Sequence, residues 1–488
     1  MNKLLKAIKT SDNYNITENG AITHKTTNSY LLDMFAMGGS MRNRSDEDVI
    51  LMFKRAYEEN SVYALKCLFY LRDIRGGAGE RRFFRVCMKW LAENHVDAAR
   101  RNLKLIPEYG RWDDLYCFVD TRLEDETFHF MHEQFLLDLN CKTPSLLGKW
   151  LASENATSVK VKRLGELTAK KFGLTPRKYR QYLSELRTRI NVLEKLMSEN
   201  RWEEIKFDQI PSRAGLIYKN AFAKRDIIKK KYETFAKDAT KKVNAEVLNP
   251  VDIAQKIFNN LYYSSCPYSM SDTDRLMYQK YWDNLKDYYN GRQENGIAVV
   301  DTSGSMYGQP LAAAVSMGAY IAERGHGPFA NHFITFSQNP ELIKFEGVDI
   351  VDKFFRAKSA NWNMNTNISK VFDLLLNKAI QNKIPQSEMP ERIYIFSDME
   401  FDRGIGNRKG VETLLESIAA KWQLKGYQLP HLIFWNLNAH KENIPALNGR
   451  FSYISGFSMN MIETILSGKD GYDLMMMKLD TERYSKIS

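Results

Sequence analysis

From Gly296 to about Leu466 short apolar runs alternate with amphipathic stretches, and this alternation constrains the fold more than any other feature of the chain. Ile297–Val300, His332–Ser337, Glu341–Phe345, Arg392–Ser397, His431–Leu437 and Phe451–Ser455 have strand length and are mostly rich in β-branched and aromatic residues. Between and after them, Leu311–Arg324, Val348–Ala357, Ile368–Ala379, Val411–Leu424 and Ser458–Leu466 carry helical spacing. Strands this apolar cannot leave one face in water. The pattern therefore predicts a doubly wound, mainly parallel sheet covered on both faces, with functional groups gathered at the carboxyl ends of its strands.

Three oxygen-bearing segments fall on that rim. The first strand runs into Asp301-Thr302-Ser303-Gly304-Ser305, which places a carboxylate and two hydroxyls at alternate positions of a tight loop. Asp398 ends the strand Ile393-Tyr394-Ile395-Phe396-Ser397, and Thr366 stands in Asn363-Met364-Asn365-Thr366-Asn367 just before a helix. Asp301, Ser303, Ser305, Thr366 and Asp398 are hard oxygen donors suited to Mg²⁺ or Mn²⁺, with a coordination position left for a partner carboxylate or water. Glu400 and Asp402 could tune the site, but exposed surface acids are the preferred reading. No histidine is tied to the motif in sequence as a general base, and no Walker loop, His-Glu-x-x-His or Gly-x-Ser-x-Gly occurs, so binding is expected rather than catalysis.

The first half has a different periodicity. After a polar stretch over residues 1 to 25 that reads as an irregular arm, amphipathic helices follow one another without strand alternation. Examples are the Tyr30–Met37 stretch, the helix after the N-cap candidate Ser45, and the segments Ala78–Asn94 and Glu126–Leu139. None is large enough to bury its face alone, which predicts a stacked helical-repeat solenoid. Lys160–Phe172 reads as a basic helix and Arg177–Asn200 as one long helix begun by Pro176, with Tyr179, Leu183, Leu186, Ile190, Leu193 and Met197 as its buried stripe.

Charge is concentrated in this region. Residues 151 to 250 hold 23 Lys and Arg against 12 Asp and Glu, which accounts for the whole net charge of +11. Between Lys160 and Arg180 eight basic residues face one acid, Glu166. A focused basic surface predicts a polyanionic partner, and Lys160, Lys162, Arg163, Lys170, Lys171, Arg177, Lys178, Arg180 and Arg187 are the candidate RNA contacts. They would read phosphates and shape rather than base sequence. The five cysteines are scattered and include no Cys-x-x-Cys, and there is neither an apolar signal core nor a run of ~20 apolar residues. Free thiols, a cytoplasmic setting and no membrane are expected.

The Asp-x-Ser-x-Ser, Thr, Asp order on these strand ends resembles the metal-ion-dependent adhesion site of von Willebrand factor A domains. The resemblance implies that Asp301, Ser303 and Ser305 hold Mg²⁺ or Mn²⁺, with Thr366 and Asp398 bound directly or through water. Further marks are Phe69-Tyr70-Leu71-Arg72-Asp73-Ile74-Arg75-Gly76-Gly77-Ala78-Gly79-Glu80-Arg81, Gly110-Arg111-Trp112-Asp113-Asp114-Leu115 and Lys149-Trp150-Leu151-Ala152-Ser153-Glu154-Asn155. With the basic helices and the adhesion motif, these resemble the TROVE family of Ro ribonucleoprotein autoantigens and its bacterial and phage relatives. That resemblance implies a HEAT-like helical-repeat solenoid or ring over 26–290 closed by an A domain over 291–470, flanked by an arm (1–25) and a tail (471–488). It also implies a non-enzymatic RNA-binding protein taking small structured or single-stranded RNA, with a protein partner donating a carboxylate to the metal. The alternative is an assembly scaffold, viral or cytoplasmic, whose basic helices bind an acidic protein.

Overall fold

The computed structural model describes residues 13–263, 270–336, 339–359, 367–402, 413–447 and 449–488. Its C-terminal half is built on a six-stranded sheet. After a small hairpin of β1 (Tyr14–Ile16) and β2 (Ile22–His24), the strands are β3 (Gly296–Asp301), β4 (His332–Phe336), β5 (Leu342–Lys344), β6 (Arg392–Ser397), β7 (His431–Asn436) and β8 (Phe451–Ser455). Their order is β5-β4-β3-β6-β7-β8, parallel throughout except for β5, which runs antiparallel to β4. Every residue of β3, β7 and β8 is buried, which explains why the centres of β3 and β7 are continuous apolar runs rather than alternating ones. The register pairs Val300 with Phe396 and Ser397 with Asn436, so β3, β6 and β7 end together and their following loops share one rim.

His431, at the start of β7, is a titratable residue buried inside the sheet. It is 1% exposed and its Nε2 lies 2.9 Å from Ser452 Oγ. Burial, reinforced by Arg450 and Arg392, pushes its pKa down to about 4. A depressed histidine pKa gives stability that is complete above the unfolded value of about 6.5 and is lost as pH falls toward the folded one, a loss on the order of 3 kcal/mol. Urea unfolding at about pH 7 and about pH 4.5 should therefore show His431→Asn losing less stability on acidification than the native chain. Equal acid sensitivity would contradict this placement.

The N-terminal half is helical from Tyr30 to Asp283. Its boundaries follow side-chain caps: Ser45 Oγ accepts from Asp48 N at 3.1 Å, and Asn60 Oδ1 accepts from Tyr63 N at 3.1 Å, ending one helix and starting the next. Thr175 and Pro176 open the helix Pro176–Arg189. That helix corrects the single long one expected to Asn200. It stops at Arg189, Asn191 adopts φ 55°, a left-handed conformation asparagine tolerates, and a separate helix covers Leu193–Ser198.

Both ends of the helical half pack on the sheet half. Tyr30–Met37 lies against β8 and β7, while Pro250–Tyr263 packs on Gln309–Arg324 and Asp272–Asp283 on Ile350–Ser359. At the first contact the backbones nearly touch: Gly39 N donates to Ser455 Oγ at 2.9 Å, and a Cβ on Gly39 would sit 2.7 Å from Ser455 O. At the second, Trp282 meets Phe354 edge-on at 5.4 Å and Arg275 reaches Asp349 at 2.7 Å.

The two terminal segments also depart from expectation. The expected irregular arm contains the β1–β2 hairpin, bridged to the sheet half at Gly20–Asp402 and His24–Ile444. The expected tail forms the helix Gly471–Leu479, then returns to the helical half, where Arg483 and Tyr484 bond Asp73 and Ser488 N donates to Asn102 at 3.1 Å. Among the described residues, no helix is long and apolar enough to cross a membrane.

Candidate functional site

Asp301 and Asp398 meet at the carboxyl ends of β3 and β6, 0% and 1% exposed. Each is held by its own loop. Asp301 Oδ1 accepts from Ser303 N at 2.9 Å and Oδ2 from Ser397 Oγ at 2.6 Å, while Asp398 Oδ1 accepts from Glu400 N at 3.1 Å. Asp398 Oδ2 is buried and receives no hydrogen bond. The loop around it is strained, with Met399 at φ 67°. Burial raises both carboxyl pKa values. For Asp301 the neighbouring Asp398 adds to the rise; for Asp398 the Ser305 hydroxyl and Glu400 N–H work against it.

The hydroxyls complete one side. Ser303 is buried and Ser305 exposed, and their Oγ atoms stand 3.1 Å apart, close to the ~3.0 Å edge of an octahedron built from ~2.1 Å bonds. Two buried like charges, two hydroxyls at that spacing and an orphaned carboxylate oxygen fit a hard divalent cation, which would offset the cost of burying both carboxylates. Thr366 lies outside the described residues. Among those described, no group of three or more His, Cys, Asp or Glu side chains forms a metal cluster, so this site depends on hydroxyls as much as on carboxylates.

Two acids at the rim depart from their expected exposure, and one histidine there was not singled out from sequence. Glu400, expected on the surface, is 1% exposed because the hairpin covers it: Glu18 N and Asn443 Nδ2 both donate to its carboxylate at 2.7 Å. Asp402 is half-buried. His440, on the loop after β7, brings Nε2 to 3.8 Å from Asp398 Oδ2. The rule that loops after parallel strands line the site would have flagged it. That loop is fastened from the helical half, by Ala439 N to Ser40 O at 3.1 Å and Arg44 to His440 O at 2.7 Å.

The nine basic candidates separate into two groups. Arg187 is a structural clamp, donating to Gly148 O, Leu151 O and Ser153 Oγ at 2.9–3.0 Å. Lys171 is neutralised by Glu124 and Asp125, and Arg180 by Glu154. Lys160, Lys162, Arg163, Lys170, Arg177 and Lys178 are exposed, and only Lys162 has an acid nearby, Glu166 at 4.0 Å. They lie on Val159–Lys171 and Pro176–Arg189, neither of which has an acidic residue in its first turn. Cations there oppose the helix dipole, a local cost that an anion would relieve.

Fold and site together define a two-part protein, a helical half whose two ends clasp an α/β half bearing an acid–hydroxyl site at its strand ends. A family model described as Domain of unknown function (DUF2828) matches residues 17–155 and 148–293, and one described as Domain of unknown function (DUF7788) matches residues 295–485. The chain belongs to the DUF2828 family. It is 30% identical over 518 residues to the uncharacterized protein L728 of Acanthamoeba polyphaga mimivirus, covering 97% of this chain and 88% of that relative. Among solved structures, the crystal structure of the Deinococcus radiodurans RO (RSR) protein matches 94% of this chain and 100% of its own at 13% identity, with a TM-score of 0.37.

Proposed function

We propose that the protein binds RNA, without catalysis, through the exposed basic face of Val159–Lys171 and Pro176–Arg189, and that the acid–hydroxyl site is a von Willebrand A-type adhesion site. The observation that carries the RNA reading is the set of exposed cations of which only Lys162 has an acid nearby, with Lys160, Arg177 and Lys178 in first turns that lack acids. Lys160 to Lys170 spans ~15 Å of helix, room for several phosphate contacts. At the other site Asp301, Ser303, Ser305 and Asp398 would hold Mg²⁺ or Mn²⁺, which when bound supplies positive charge for a partner's carboxylate. Ser397 positions Asp301, and the Glu400 and hairpin contacts keep water from the far side of Asp398.

A titration tests the RNA reading. With a fluorescent RNA hairpin, log K should fall with log salt at a slope of about −3 or steeper, as expected for about five phosphate contacts. Replacing Lys160, Arg163, Lys170, Arg177 and Lys178 by Glu should weaken binding at least about 100-fold and flatten the slope. Unchanged affinity in that variant would exclude this surface.

A further inference from the structure

We infer that the loop 238–246 of the helical half walls a binding site for one nucleoside monophosphate unit, supplied as a free nucleotide or as the end of an RNA. The site uses none of the residues of the basic face or of the acid–hydroxyl rim and goes beyond both readings proposed above.

The loop follows the helix Asp226–Lys237 and borders a cavity of about 550 Å³, within the ~300–1,000 Å³ usual for small-molecule sites. Its lining carries both signs of charge. Lys241 and Lys242 are exposed, as are Asp208 and Glu246, and among the described residues none of the four forms an ion pair. Two amides line it as well. Asn244 Oδ1 accepts from Ser212 Oγ at 2.8 Å and from Glu246 N at 3.4 Å, so its amide hydrogens remain for a ligand. Asn284 commits Nδ2 to Lys280 O at 2.8 Å, which leaves its oxygen to accept. Val243 and Ala245, both buried, add apolar surface.

This mixture narrows the ligand. A bare polyanion would meet the two carboxylates, and a bare polyol would leave two ammonium groups unused. A nucleoside monophosphate answers both: the ammonium groups take its phosphate, a carboxylate accepts from its ribose hydroxyls, and the amides address a base edge. The loop is held in place for such a ligand. Lys280, 9% exposed, donates to Asp238 O at 2.7 Å and to Lys241 O at 2.8 Å, fixing the backbone and setting a buried positive charge beside Lys241. Lys230, Thr234 and Lys237 are exposed at i, i+4 and i+7 of the preceding helix, one face that leads toward Lys241. That face offers a track for the phosphates that follow when the unit ends an RNA.

The test uses the full chain and adenosine 5′-monophosphate. Equilibrium dialysis should give a Kd below about 1 mM, at least about tenfold tighter than for adenosine, and that preference should vanish when Lys241→Glu and Lys242→Glu are combined. Charge reversal on Val159–Lys171 should leave nucleotide binding unchanged. Photolabelling of the native chain with 8-azidoadenosine 5′-monophosphate should mark residues 240–246, Asp208 or Asn284, a result that does not depend on how a variant folds. Displacement of the nucleotide by a short 5′-phosphorylated RNA assigns the site to an RNA end, and nucleotide binding without such displacement assigns it to a free nucleotide. No binding at about 5 mM, equal affinity for adenosine, or label found only outside these residues overturns the inference.

Discussion

Replacing Asp114 by Asn is expected to cost about 3–5 kcal/mol, the range for removing one member of a buried ion pair. Asp114 is fully buried and serves two arginines: Arg72, itself 2% exposed, at 2.7 Å and Arg85 at 2.7 Å, while its Oδ2 also accepts from Arg111 N at 2.9 Å. Burial alone would raise its pKa, but Arg72 and Arg85 prevail and hold it below the usual carboxylate range. Its stabilisation is therefore present above an unfolded pKa of about 4 and lost as pH falls through the lower folded value. The substitution leaves Arg72 buried without its counter-charge. Urea unfolding followed by tryptophan fluorescence measures the loss, and Arg72→Met with Asp114→Leu should recover part of it. A loss below about 1 kcal/mol would contradict the network.

Asp301→Asn is expected to act in opposite directions with and without a cation. Without one, the native chain buries two like charges, and Asn removes one of them while still accepting from Ser303 N, so the apo protein should gain stability. With Mg²⁺ or Mn²⁺ at 100 times its dissociation constant, the native chain should gain about 2.7 kcal/mol and the variant nothing measurable. Thermal unfolding with and without the cation, together with metal analysis, separates the cases. Equal cation-induced stabilisation in both chains, or a destabilised apo variant, would contradict a site kept for binding at the expense of stability.

Sequence legibility varied with how local the physics is. The sheet was readable because buried parallel strands are short apolar runs separated by helices, and because the strand ends put Asp301 and Asp398 on one rim. The three family-like stretches were visible as patterns but not as machinery. Arg72 and Asp114 pair across 42 positions and Asp73 meets Arg483 across 410, separations that leave no local period. The stretch around Trp150 holds Arg111 over its ring at 4.0 Å and accepts Arg187 and Arg180, which is why two of the basic candidates turn out to be structural. Glu400 was misread because Asp-Met-Glu-Phe-Asp alternates like a surface turn, while the hairpin that buries it lies about 380 positions earlier. The tail was not read as a helix although Leu474, Met475 and Leu479 stand at helical spacing, and these three and Tyr484 are all buried.

The division of labour proposed here puts the cation site at the strand ends and the main ligand, RNA, on the helices upstream. Ultraviolet crosslinking of the native chain, followed by sequencing of the RNA recovered, tests it most directly. The account predicts RNA well above background, crosslinked within residues 159–189, and its loss when Lys160, Arg163, Lys170, Arg177 and Lys178 are replaced by Glu. RNA at background, or an unchanged yield from the charge-reversed chain, would contradict it and favour a protein partner for that surface.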